Sequence, residues 1–174
     1  MNPRPSEHPI QAFFEEAVHR SLAHKLGMPG YEDVESYLAA MLVRFAHRER
    51  LFALRDCDGN QLERIDDMLP EGDIRQNAMT FEREREVHRH IGDYLLFWSG
   101  MFPEHLPNAT GAPTIPDAVR QGSESYEIVS SFDYVPFDAE APLYRKLSFE
   151  FETFRVGLLL VRESLAGLRP PRQA

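Results

Sequence analysis

Residues 80–102 read TFEREREVHRHIGDYLLFWSGMF. Val87, Ile91, Tyr94, Leu95, Trp98, Met101 and Phe102 recur three or four positions apart, which puts them on one side of an α-helix. Thr80 is placed to cap its start, and Pro103 stops it. The length and strength of this pattern decide the fold class, because no alternation of period two competes with it here.

Working outward, the same periodicity predicts three more long helices. Residues 9–26 carry the stripe Ile10, Phe13, Phe14, Ala17, Val18 and Leu22, closed by Gly27 and Pro29. Residues 33–54 carry Val34, Leu38, Met41, Leu42, Phe45 and Phe52. Residues 142–165 carry Leu143, Leu147, Phe151, Phe154, Leu158, Val161 and Leu165, in the alternating four-and-three steps of a bundle seam. A short helix is expected at 66–69 and a shorter fifth amphipathic helix at 123–134, with Pro- and Gly-rich residues 103–122 as loop. The predicted fold is all-α: a mostly antiparallel four-helix bundle whose long crossover connection carries the fifth helix. The whole chain, 1–174, reads as one domain with flexible ends at 1–8 and 168–174.

The composition narrows function by exclusion. A net charge of -9 disfavours phosphate backbones and anionic lipid as partners, so neither nucleic acid nor membrane is expected. The longest apolar runs, 95–98 and 157–161, are far short of the ~20 residues a membrane span needs. The first residues, MNPRPSEHP, lack the apolar core of a signal peptide, and a single cysteine fits a reducing compartment; the expected location is cytoplasmic. Cys57 sits among acids in RDCDGN, which disfavour its thiolate. The same segment imitates a calcium loop, but its glycine comes too early and the twelfth-position glutamate is missing. No G-x-S-x-G, Walker loop or C-x-x-C occurs in the chain.

Charged residues that face an apolar stripe are the remaining candidates. At ~100° per residue, Glu84 lies about 30° and His88 about 70° from the centre of the stripe on the 80–102 helix, one turn apart. Glu82, Glu86, Arg89 and Asp93 fall on the opposite, solvated face, with His90 to one side. Glu49 and Glu150 lie about 45° and 55° from the stripes of their own helices. An ion-pair network at the bundle's end, closed by Arg48 or Arg155, is the leading account of these groups. The alternative is a carboxylate-rich site for iron, manganese or zinc on Glu49, Glu84, His88 and Glu150. The Glu-x-x-His repeat of di-metal bundles is absent from the inward faces, and no other cofactor is indicated.

A second apolar strip, Phe149, Val156 and Leu160, runs behind the seam of the 142–165 helix, and Ala40, Val43 and Leu51 lie behind that of 33–54. Apolar residues on two sides place a helix centrally or at an interface. The functional expectation is therefore a non-enzymatic interaction or regulatory module that binds a partner or itself, with a metal-binding bundle or metal-dependent enzyme as the alternative.

Overall fold

The computed structural model describes residues 9–165 and 169–172; their regular structure is helical apart from one isolated bridge between Arg55 and Gln61. The flexible ends expected at 1–8, 168 and 173–174 lie outside the described residues. Nine α-helices are described: α1 (Pro9–His19), α2 (Glu32–Phe45), α3 (Arg48–Leu51), α4 (Ile65–Met68), α5 (Phe81–Met101), α6 (Leu106–Thr110), α7 (Ile115–Ser130), α8 (Ala141–Phe149) and α9 (Phe151–Glu163). No helix among them is long and apolar enough to cross a membrane.

The helix expected at 80–102 is α5, and it starts where its cap chemistry requires. Thr80 is extended, and its Oγ1 accepts a hydrogen bond from the Arg83 N–H at 3.1 Å. What the stripe alone does not convey is how central α5 is. Every residue from 91 to 101 is buried, so the helix is enclosed on all sides over its last three turns. It packs most extensively on α7, then on α9, and its first half rests on a 3₁₀ turn at Leu69–Gly72. Glycine makes the closest approach possible: a Cβ at Gly92 would lie 2.6 Å from Tyr126 Cε1.

Two predicted long helices are interrupted, and a third changes its winding. The one at 33–54 breaks at His47, which is extended, into α2 and α3. The one at 142–165 breaks at Glu150 into α8 and α9, so its apolar seam turns a corner between Leu147 and Phe151. The first helix continues past His19 as a π-helical turn, Arg20–Lys25. There Ser21 Oγ donates to the Gly157 carbonyl at 2.6 Å, and Leu22 seats against Gly157, where a Cβ would come within 2.7 Å.

The predicted loop at 103–122 is largely helix. A 3₁₀ turn (Pro103–His105) leads into α6, and α7 starts at Ile115, eight residues before the expected helix at 123. Thr114 supplies the start: its Oγ1 accepts from Asp117 N at 3.2 Å and donates to Asp117 Oδ2 at 2.6 Å, with Pro116 in the first turn. The Gly and Ser content of 122–125 hides this helix from a propensity reading. Gly122 is buried against Phe151 of α9 and Ser125 against His88 of α5, while Ser123 and Ser148 exchange hydrogen bonds across the α7–α8 contact. A single apolar core joins these elements, from Val18 through Trp98 to Val161.

Candidate functional site

The four residues expected to share a metal are not brought together. Glu49 lies on α3 and is exposed. Glu84 is half-buried on α5, and its carboxyl pKa is raised by burial and by Asp73, against the opposing pull of Arg75. Glu150 occupies the α8–α9 break and faces Tyr31, whose hydroxyl it holds above its ordinary pKa. His88 is buried, but both ring nitrogens are engaged: Nε2 lies 3.2 Å from the Gly72 carbonyl and Nδ1 3.1 Å from Ser125 Oγ. Those partners fit the neutral tautomer, with Nε2–H donating to Gly72 and Nδ1 accepting from Ser125. Burial lowers its pKa in the same sense. Among the described residues no group of three or more His, Cys, Asp or Glu side chains is arranged to hold a metal ion.

The arginines expected to close an ion-pair network go elsewhere. Arg155 forks onto Glu152 at 2.7 and 2.8 Å, and Arg48 lies over the Phe52 ring. Glu84 and His88, one turn apart, play separate roles: His88 ties α5 to α7 and to the 3₁₀ turn, while Glu84 lines a surface groove.

The strongest polar centre is one that the helical wheel assigned to solvent. Asp93 is only 1% exposed. Tyr37 on α2 and Tyr126 on α7 each donate to its Oδ1 at 2.6 Å, and Arg44 on α2 donates to Oδ2 at 2.9 Å. A buried carboxylate demands such a set, because each unpaired lone pair would cost the desolvation of a charge. Burial and the Asp93 charge together push both tyrosine hydroxyls well above their ordinary pKa. Asp93 thus joins three helices through one carboxylate with both oxygens occupied. Arg85, two turns earlier on α5, is also buried; it bonds Glu140 at 2.6 Å and lies over the Phe137 ring at 4.2 Å.

Beside Asp93 the surface opens into a pocket of about 190 Å³ between α2, α3 and α5. Arg44, Arg50, Arg89, Glu86 and His90 supply its polar wall; Phe45, Ala53 and Leu54 supply the apolar one. The His90 ring stacks on Tyr94 at 5.5 Å and meets the edge of Phe45, and its buried Nε2 has no hydrogen-bond partner. Burial drives its pKa down to about 4, with Arg44, Arg89 and Arg83 acting in the same direction and Asp93 against it. His90 is therefore neutral at physiological pH.

The signal for this centre was present in the sequence as Arg85, Arg89 and Asp93 at i, i+4, i+8, with Gly92 beside Asp93 in mid-helix. The helical wheel turns Arg89 and Asp93 toward solvent, because charge on a helix face is usually solvated. The expected interface residues are divided by the break at Glu150. Phe149 ends α8 and is 89% exposed, whereas Val156 and Leu160 are half-buried on α9.

The chain defines an all-helical protein arranged around one enclosed helix, with a carboxylate hub and a cationic pocket on that helix. No family model, curated protein or solved structure matches it.

Proposed function

We propose that the protein is a non-enzymatic helical module that associates with a second copy of itself through exposed apolar surface. One observation carries this reading. Phe81 and Tyr134, 58% and 51% exposed, line a groove floored by buried Phe132 near the start of α5 and the end of α7, and close by in the chain Met79 and Val135 are 89% and 81% exposed. Isolated surface hydrophobes need no explanation, but several large ones gathered at one groove are characteristic of an interface. Phe149, with Val156 and Leu160 beyond the helix break, offers a second candidate face. Two-fold pairing is the commonest way to cover such a surface.

The buried polar groups support the non-enzymatic part of the reading. Both oxygens of Asp93 and both ring nitrogens of His88 are held by structural partners. Sedimentation velocity on the wild type, Phe81→Glu and Phe149→Glu tests the proposal. A wild-type dimer that Phe81→Glu converts to monomer, with unchanged far-UV circular dichroism, is the expected result. Loss of the dimer in Phe149→Glu alone would move the interface to the α8–α9 face. A wild type that stays monomeric at high micromolar concentration removes the reading.

A further inference from the structure

We infer that the pocket beside Asp93 binds the phosphoryl group of a small phosphate monoester, gripped by Arg89 and Arg50 with Arg44 at its floor. Three guanidinium groups and two carboxylates line the pocket. Asp93 is committed to Arg44 at 2.9 Å, and Glu86 is directed toward Arg83 at 3.6 Å. Neither Arg89 nor Arg50 makes an ion pair or side-chain hydrogen bond among the described residues, although the nearby Asp93 charge favours the Arg89 guanidinium. Arg50 is exposed, and Arg89 is half-buried with none of its guanidinium nitrogens sealed from water, so both present free donors to an anion entering the pocket. On a chain of net charge -9, two unmatched arginines facing one cavity are a local reversal of sign.

The ligand's charge and shape follow. Two unmatched positive charges match the nearly dianionic phosphate of a monoester at neutral pH better than the single charge of a carboxylate. Planar guanidinium forks suit its paired oxygens. About 190 Å³ is room for roughly six water molecules, enough for a phosphoryl group and a small organic body. Phe45, Ala53 and Leu54 give that body an apolar wall. Neutral His90 adds a ring nitrogen without adding charge, while Glu86, at the pocket's edge, opposes any anion.

Titration calorimetry on the full-length protein at low ionic strength, with phenyl phosphate, inorganic phosphate and benzoate as probes, tests the site. Phenyl phosphate is expected to saturate it most tightly, inorganic phosphate several-fold more weakly, and benzoate at least ten-fold more weakly. Arg89→Gln should weaken phenyl phosphate about ten-fold, the loss of one charge-assisted contact, and Glu86→Gln should tighten it. Should Arg89→Gln fail to fold, Arg50→Gln, which alters an exposed side chain, carries the same expectation. The inference is overturned by no saturable binding of either phosphate up to about 10 mM, well above a millimolar site. It is equally overturned by unchanged affinity in the arginine variants, by benzoate matching phenyl phosphate, or by inorganic phosphate binding as tightly as the ester.

Discussion

Replacing His90 by phenylalanine should make the protein markedly more resistant to acid. The ring stack on Tyr94 and the edge contact with Phe45 can be kept by another six-electron ring, so the substitution removes a titration more than a contact. In the unfolded chain a histidine takes its proton near pH 6.5. In the fold, burial holds His90 down at about 4. A lowered pKa means that the unfolded state binds the proton more readily, so the stability present above pH 6.5 is lost as pH falls toward 4. From pH 7 to pH 5 the loss due to His90 alone is about 2 kcal/mol, close to 1.4 kcal/mol for each pH unit below 6.5. Carboxylates held at lowered pKa, such as Asp33, and buried His88 also favour unfolding in acid. They are common to both proteins and cancel when the two are compared. Urea unfolding at pH 7 and pH 5 should therefore show a pH penalty about 2 kcal/mol smaller in His90→Phe than in the wild type. Equal penalties would refute the claim that the fold holds His90 in its neutral form.

Two further substitutions probe the packing around α5. Asp93→Asn leaves Arg44 without its carboxylate and turns an amide N–H toward it; breaking a buried pair of this kind should cost about 3 kcal/mol in chemical denaturation, and a loss below about 1 kcal/mol would show the hub to be dispensable. Gly92→Ala would gain up to about 1 kcal/mol of helix propensity on an open surface, but here the added methyl meets the Tyr126 ring at 2.6–2.9 Å, so a net loss of about 1–3 kcal/mol in thermal unfolding is expected, and a rise in melting temperature would contradict the close α5–α7 contact.

The fold was legible where one physical signal dominated. The α5 stripe, the Thr80 cap and the Pro103 stop agree with one another, and the helix runs over the predicted residues. The breaks at His47 and Glu150 were not legible, because apolar periodicity persists across them: Leu51 and Phe52 on one side, and Phe151 and Phe154 on the other, still reach the core after the chain turns. The start of α7 was written in Thr114, Pro116 and Asp117, yet Gly122 and Ser125 masked its body; small residues there serve a close contact, not a loop.

The candidate site was read less well, for a related reason. A helical wheel weighs each helix against its own stripe and is blind to a second partner. His88 is buried and Glu84 half-buried at a surface groove, but neighbours on other elements, Gly72 and Ser125, decide what His88 does. Asp93 was placed outward because nothing on its own helix says that Tyr37, Arg44 and Tyr126 converge on it. Phe149 is exposed, while its continuity with Val156 and Leu160 depends on a helix that turns at Glu150.

The enclosure of α5 also bears on the order in which the chain is made. Its two largest partners, α7 and α9, both lie C-terminal to it, so the ribosome delivers the core before its cover. At about 5–20 residues per second, α5 waits seconds for α9 to be synthesised. Its first half, rich in glutamate and arginine, keeps the nascent helix in water during that interval. Leu95, Leu96, Phe97 and Trp98 have no such protection until that cover arrives.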